Sequence, residues 1–184
     1  MKRFLLITVL LLLTGSTFGQ TADKGFQWGV SVKRELLPGT GQYSVNATGG
    51  YRFNRGNYLG FQTGYAFTGK LNGGIGKGVG GPKGKFWGIP LMADYIHYFP
   101  IGKAQRHSLI AGIEMGAHFR HYPDAVTGRI SPRPSDIITG PVNYTHFYAC
   151  VKTGLDFNIV DFTHLQIGLL FSYPGIGVSV GFTF

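Results

Sequence analysis

The sequence predicts an all-β fold, namely a closed antiparallel up-and-down transmembrane β-barrel of eight strands. Large apolar and small or polar residues alternate in eight separate runs. The composition is rich in glycine, with 30 residues, and aromatic residues make up 15% against 14% charged residues. Beyond the amino-terminal segment, no stretch approaches the roughly 18 apolar residues of a membrane helix. A closed barrel is then the remaining structure that satisfies the backbone polar groups inside a bilayer.

The alternation has the period of a β-strand and is clearest in residues 176–184, where one face is large and apolar and the other is glycine, serine or threonine. Each run is about ten residues long, as expected of a tilted membrane strand. The eight runs are 26–33, 43–53, 59–67, 87–95, 109–120, 146–157, 165–172 and 176–184.

The residue types indicate which face points outward. Eight inward rows of aromatic and branched residues would overfill a small barrel, whereas rows rich in glycine and serine fit a narrow lumen. The apolar rows are therefore expected to face lipid. Aromatic residues also gather at the ends of the runs, as in interfacial girdles. They are Phe26, Tyr51, Phe53, Phe99, Phe119, Phe157 and Phe184.

The connections between the runs are alternately short and long. Residues 54–57, 100–106 and 158–163 are short connections, whereas 71–85 and 121–143 are long. Membrane barrels have short periplasmic turns and longer outer loops. If both termini lie in the periplasm, the short connections lie on the periplasmic side and the long connections on the outer side, as this rule requires. The last outer connection, near Tyr173 to Gly175, departs from the rule because it is a tight turn.

Residues 1–19 are predicted to be a secretory signal peptide, and residues 20–184 the barrel domain. Lys2 and Arg3 precede an apolar run from residue 4 to 13, and small residues follow. Thr17 and Gly19 would occupy positions −3 and −1 of the cleavage site. The apolar run is too short to span a bilayer as a helix. An amino-terminal membrane anchor is the alternative.

The chain is basic, with a formal net charge of +9 and only two of its basic residues in the predicted signal. Export argues against nucleic acid as a partner. Outer-membrane lipid and lipopolysaccharide are expected instead, because their phosphates attract a basic surface. The single cysteine, Cys150, cannot form an internal disulfide.

Charged residues of both signs lie in the predicted inward rows. Burying a charge without a partner costs on the order of several kcal/mol per ion. These groups are therefore expected to pair and to close the lumen. A gated conduit is the alternative. The predicted lumen network comprises Lys33, Arg52, Asp94, Glu114, Arg120, Lys152 and Asp156.

Two motifs match catalytic or nucleotide-binding patterns by their letters. Residues 177–181 match the G-x-S-x-G nucleophile elbow, but that motif needs a sharp turn and a helix, whereas here strand alternation runs straight through. Gly76, Gly78 and Gly81 match G-x-G-x-x-G without the strand and helix of a dinucleotide site. This segment is expected to be an outer basic loop carrying Lys77, Lys83 and Lys85.

Histidines offer weaker candidates. His107 and Ser108 resemble the His and Ser of lipid A deacylases, but they adjoin a predicted periplasmic turn, away from outer-leaflet lipid A. His118, His121 and His146 flank the third outer loop without close ligand spacing such as H-x-x-x-H. They are expected to be polar rim residues, and no metal or cofactor is predicted.

Two short motifs carry a family resemblance. Residues 86–91 end in Ile-Pro-Leu, and the chain closes with Gly-Phe-Thr-Phe. Both are similar to segments of small Bacteroidetes-type outer-membrane barrels, the PorT-like proteins, within the wider set of OmpA- and OmpX-like eight-stranded barrels. The resemblance implies a Gram-negative cell envelope and the outer membrane. It also implies that Phe182 and Phe184 form an assembly signal for the barrel-assembly machinery, which the chain would reach with periplasmic chaperones.

The sequence therefore favours a monomeric, non-enzymatic outer-membrane barrel with a structural or surface-interaction role. A lipid A-modifying enzyme and a small channel are the alternatives. An enzyme would change the mass of lipid A, whereas a structural protein would alter envelope integrity and leave lipid A unchanged.

Overall fold

The computed structural model describes residues 24–37, 40–54, 56–68, 85–102, 106–128, 137–160, 163–173 and 175–184. Within these ranges the structure consists of strands and their connections. The eight strands are β1 (Gly25–Leu37), β2 (Thr40–Asn54), β3 (Asn57–Thr68), β4 (Trp87–Ile101), β5 (His107–Gly128), β6 (Ile137–Val160), β7 (Thr163–Ser172) and β8 (Gly175–Thr183).

The strands form one closed barrel in sequence order. Every strand pairs antiparallel with the next, and β1 closes the ring against β8. Because the ring is closed, each strand has a paired neighbour on both sides and the sheet has no free edge strand. The eight-stranded up-and-down barrel predicted from the alternation is confirmed.

Two ends of the barrel are distinguished by their connections. The terminal end is where β1 begins and β8 ends, and it carries the β2–β3, β4–β5 and β6–β7 connections. The hairpin end carries the others, including the long β5–β6 hairpin. At the terminal end, Gly102 adopts a φ of 74°, a left-handed conformation that suits glycine. The turns there are shorter than predicted, because β4 continues to Ile101 and β6 to Val160.

The predicted outer loop 121–143 is wrong in its extent. His121 pairs with Asn143, and the β5–β6 ladder continues to the pair Gly128 and Ile137. The register shifts between Tyr122 and Ala125, which places Pro123 and Asp124 at an irregularity of the ladder. Proline lacks the backbone N–H of a ladder bond, so it is accommodated at such irregularities. This irregularity interrupts the alternation of side chains, and the sequence alone therefore predicts a loop here.

Pro90, in the Ile-Pro-Leu segment, lies near the start of β4 and points into the barrel. The β3–β4 register runs to the pair Thr63 and Leu91 and resumes at Ala66 and Gly88. The ladder is therefore interrupted beside Pro90, as expected where a residue has no N–H to donate.

The two faces of the barrel wall differ as the alternation predicts. Large apolar side chains are exposed on the outside, Phe61 for example at 70% and Val178 at 49%. The intervening residues are mostly buried in the lumen. In the described part of the chain, no helix has the length and apolar character needed to cross a membrane.

The lumen is filled with side chains in three apolar clusters separated by polar groups. Tyr58, Ile96, Tyr98 and Ile110 pack near the terminal end. Met92, Tyr148, Cys150 and Leu170 pack near the centre. Ala66, Phe86 and Tyr122 pack at the hairpin end, with Val142 and Tyr144 against them.

Several sequence predictions fall outside the described residues. They are the signal peptide 1–19, the glycine motif at Gly76, Gly78 and Gly81, and the loop residues Lys77 and Lys83. Lys85, the last residue of the predicted basic loop, is described and exposed.

Candidate functional site: the barrel lumen

Six of the seven predicted lumen charges are buried inside the barrel, and Arg120 is partly buried. Their positions follow from strand parity, because side chains at even spacing along one strand share a face. The buried six are Lys33, Arg52, Asp94, Glu114, Lys152 and Asp156.

Glu114 is the centre of the charge network and is completely buried. Lys33 forms a direct ion pair with it, and Lys152 Nζ lies 3.9 Å from its other carboxylate oxygen. Lys33 is on β1 and Glu114 on β5, which are not neighbours in the sheet. The pair therefore crosses the lumen and links opposite walls, so Glu114 closes the bore as well as balancing charge.

Asp94 faces Glu114 directly across the β4–β5 ladder. Two adjacent carboxylates repel each other unless cations lie near both. Lys33 and Lys152 act electrostatically on Asp94 as well as on Glu114. Two acids and two lysines therefore form one compact cluster at mid-barrel.

Glu35 belongs to the lumen but was missed by the sequence analysis. Tyr148 donates its hydroxyl to Glu35 Oε2 at 2.9 Å, and Ser172 donates to the same oxygen at 3.4 Å. The first predicted run ended at Lys33, whereas β1 continues to Leu37. Extending the alternation by two residues would have placed Glu35 inside.

A second polar group surrounds Asp156 near the terminal end. His164 Nδ1 lies 2.8 Å from Asp156 Oδ2, and Gln166 donates to Oδ1 at 3.1 Å. Gln166 also donates to the hydroxyl of Tyr98 at 3.1 Å. The Arg52 guanidinium lies 4.2 Å from the centre of the Tyr98 ring. Asp156 thus has a histidine partner rather than one of the predicted lysines or arginines.

Arg120 lies at the hairpin end, with no carboxylate partner among the described residues. Its Nη2 donates to Gln42 Oε1 at 2.9 Å, and its guanidinium lies 4.5 Å from the centre of the Phe86 ring. In the described part of the chain, Arg120 therefore contacts an amide and an aromatic ring instead of the expected acid. Glu35 does lie toward this end, across the β1–β2 ladder from Gln42, but it accepts hydrogen bonds from Tyr148 and Ser172.

The catalytic motifs do not form catalytic arrangements. Ser179 is buried on the lumen face in the middle of β8, with strand on both sides of it. His107 and Ser108 are consecutive strand residues, so their side chains point to opposite faces, His107 outward and Ser108 inward. They cannot act together as base and nucleophile.

The three histidines predicted to form a polar rim occupy different environments. His118 is buried in the lumen, and its ring stacks on Tyr148 with centroids 4.9 Å apart. His146 is its direct partner across the β5–β6 ladder. His121 lies on the outer face and contacts Asn143 at 2.7 Å. The described residues contain no group of three or more potential metal ligands.

Comparison with known proteins gives structural likeness only. No family model matches the chain, and no curated protein matches it. The chain is similar to the attachment invasion locus protein Ail of Yersinia pestis, solved with the heparin analogue sucrose octasulfate. Identity is 14%, coverage is 88% of this chain and 98% of that chain, and the TM-score is 0.46.

Two other solved structures are similar to the same extent. For the neisserial surface protein NspA, identity is 14%, coverage is 90% of this chain and 97% of that chain, and the TM-score is 0.49. For the N-terminal β-barrel domain of Pseudomonas aeruginosa OprF, identity is 15%, coverage is 88% of this chain and 99% of that chain, and the TM-score is 0.43.

Proposed function

We propose that this chain is an integral outer-membrane β-barrel with a plugged lumen and a non-enzymatic structural or surface-interaction role. The observation that carries the proposal is the inversion of the usual protein pattern. Apolar side chains cover the outside, while ion pairs and hydrogen-bonded polar groups fill the inside. Water would disfavour such an exterior, whereas lipid favours it.

The strand dimensions support a membrane location. β7 has ten residues and exposes Ile167, Leu169 and Phe171 outward. At a rise of about 3.3 Å per residue and a tilt of roughly 40°, ten residues span about 25 Å, which matches the apolar band of an outer-membrane barrel.

Aromatic side chains near both ends of the wall support the same location, because aromatic rings favour the interface between lipid and water. Toward the hairpin end, Tyr65 stacks on Trp87 and Tyr43 on Phe67. Toward the terminal end, Tyr51 and Phe53 form an edge contact.

The filled lumen favours a structural role over a channel. Glu114 and Lys33 meet across the bore, and Met92 and Leu170 are fully buried beside them. An eight-stranded barrel is just wide enough for side chains to fill. Ions would therefore have to displace a packed and ion-paired interior in order to pass.

The biogenesis and surface of the protein complete the proposal. Residues 1–19 direct export, and Phe182 and Phe184 are recognised by the barrel-assembly machinery after delivery by periplasmic chaperones. The hairpin end faces outward, where Lys77, Lys83 and Lys85 meet lipopolysaccharide phosphates or external partners. The Ile-Pro-Leu segment supports a Bacteroidetes-type, PorT-like assignment. A monomer is expected, because the ring of strands is already closed.

Fractionation and conductance test this proposal together. We expect the mature protein, cut before Gln20, in the outer-membrane fraction, and no steady current from purified protein in planar bilayers. A comparison of lipid A mass between strains with and without the protein tests the enzymatic alternative, and the masses should agree. Recovery as a soluble periplasmic protein, reproducible single-channel currents, or a protein-dependent change in lipid A would each overturn part of the proposal.

A further inference from the structure

Three buried nitrogen atoms at the hairpin end of the lumen lack a hydrogen-bond partner among the described residues. They are Arg120 Nε, Gln42 Nε2 and His118 Nδ1. Gln42 and His118 are 1% and 4% exposed, so neither side chain is free to turn into bulk water. A buried donor without an acceptor costs roughly 1–3 kcal/mol. Three such atoms in one region indicate a missing acceptor.

The orientation of these groups is fixed by their neighbours. Arginine can only donate, so the Gln42 oxygen must face Arg120 Nη2, which leaves the Gln42 NH₂ group as the free donor. The Arg120 guanidinium rests on Phe86, whose ring packs on Tyr122 at 5.3 Å. The Nε edge of Arg120 is thereby held in place before any ligand arrives.

His118 lies two residues from Arg120 on the same face of β5, and the electrostatic influence of Arg120 reaches its ring. Stacking on Tyr148 fixes the ring, and His146 stands opposite on β6. Nδ1 carries a proton in one neutral tautomer and in the charged form of histidine. His118 Nδ1 can therefore act as a second donor, two residues from Arg120 on the same lumen face.

The described acids Glu35 and Glu114 hydrogen-bond or pair with other groups. Glu35 accepts from Tyr148 and Ser172, and Glu114 is paired with Lys33. The hairpin end therefore has a fixed cation and surplus donors that no described carboxylate accepts from, although Glu35 faces Gln42 across the β1–β2 ladder. Such a group of donors disfavours a metal cation and suits an anion whose oxygens accept several hydrogen bonds at once.

We propose that Arg120, Gln42 and His118, with His146 at the edge, form an oxyanion-binding site that takes a phosphate, sulfate or carboxylate group. Arg120 and His146 are only partly buried, so the ligand approaches from the hairpin end. The inference rests on the proposed function in one respect, namely that the hairpin end, and hence the ligand, lies on the outer side of the membrane. The site itself can be tested on purified protein without reference to that orientation.

The test is thermal unfolding of the full mature chain, folded in maltoside micelles, which carry no anionic group. Inorganic phosphate or sulfate is titrated against chloride at equal ionic strength. Wild-type protein should show a saturable rise in unfolding temperature with the oxyanions, because a ligand that binds only the folded state stabilises it. Arg120→Gln should lose this rise.

Arg34→Gln is the matched control. Arg34 lies toward the same end of the barrel, on the outer face, where its guanidinium lies 5.5 Å from the Tyr43 ring centre. This variant removes the same charge and should keep the wild-type response. Equal responses in the wild type and Arg120→Gln, or equal losses in both variants, would overturn the site, because binding would then depend on net charge alone.

His118→Phe provides a second variant in case Arg120→Gln does not fold. It keeps a ring to stack on Tyr148 but removes the donor. Phosphate should bind to it about tenfold more weakly than to wild type, the usual effect of one lost hydrogen bond to a charged group. Unchanged affinity in this folded variant would also overturn the site.

The source of the oxyanion is identified in vesicles of phosphatidylcholine with or without lipopolysaccharide. If lipopolysaccharide phosphate is the occupant, its presence should abolish the response of the wild type to added phosphate. If the ligand is a soluble anion, the response should persist in both vesicles. Either result supports the site, whereas no response in either vesicle contradicts it. Fractionation and conductance do not depend on Arg120, so failure of the site leaves the proposed barrel untouched.

Discussion

Trp28 and Phe184 join the first strand to the end of the chain. Their rings stack with centroids 4.5 Å apart, and their backbones exchange two hydrogen bonds, at 3.1 and 2.7 Å. Phe184 thus extends the β1–β8 ladder by one pair beyond Gly29 and Thr183. The seam that closes the barrel ends in an aromatic contact at the terminal end.

Phe184→Ala should therefore weaken closure of the barrel. It removes the stacking on Trp28, and an aromatic pair contributes about 0.5–1.5 kcal/mol beyond its buried area. We expect a lower folded fraction, measured by heat-modifiable gel migration after refolding. Tyr173 lies between β7 and β8 and is 89% exposed, so Tyr173→Ala is the control and should fold like wild type. Equal folded fractions for both variants would show that this contact does not stabilise the seam.

Glu114→Ala should be the most destabilising single change in the lumen. It leaves Lys33 buried without its ion-pair partner, and breaking a buried pair in this way typically costs about 3–5 kcal/mol. The measurement is a urea titration of the folded protein, followed by tryptophan fluorescence. Lys85→Ala, at an exposed position, is the control and should change stability by less than about 0.5 kcal/mol. Comparable midpoints for the two variants would mean that the lumen pair is not structural.

Ser179→Ala should fold and leave any measured hydrolytic activity intact. The hydroxyl lies inside a continuous strand, without the sharp turn that exposes a catalytic serine. Gel migration reports folding, and release of fatty acid from lipopolysaccharide reports the activity. Loss of an activity in a folded variant would assign Ser179 a catalytic role and reverse the non-enzymatic interpretation.

The barrel could be predicted because strand parity is a local property. Alternation in residues 176–184 or 109–120 requires no knowledge of the partner strand, and the lumen position of Glu114 follows from it. Strand ends were less predictable. Pro123 interrupts the side-chain alternation of β5, so the sequence predicts a loop where β5 and β6 in fact form a paired hairpin. Glu35 was missed for a different reason, since the alternation continues past Lys33 but the predicted run ends there.

The contacts across the lumen could not be predicted from the sequence. Which cation meets Glu114 depends on how far each strand is shifted along its neighbours, and those shifts add around the ring. Lys33 and Glu114 are far apart in sequence and on non-adjacent strands, so no local pattern links them. The histidine partner of Asp156 and the glutamine partner of Arg120 are decided by the same register.

The measurement that tests the central claim most directly is the accessibility of spin labels on the outer wall of the vesicle-embedded barrel. Single labels are placed at Val178 and at Tyr173, in a Cys150→Ala background that removes the one native thiol. Both positions are exposed, at 49% and 89%, so neither label disturbs the lumen. We predict that the label at position 178 is reached by oxygen and protected from a water-soluble nickel chelate. The label at position 173 should be open to the chelate. Equal access of the chelate to both labels would show that water surrounds this wall, and would contradict the membrane barrel.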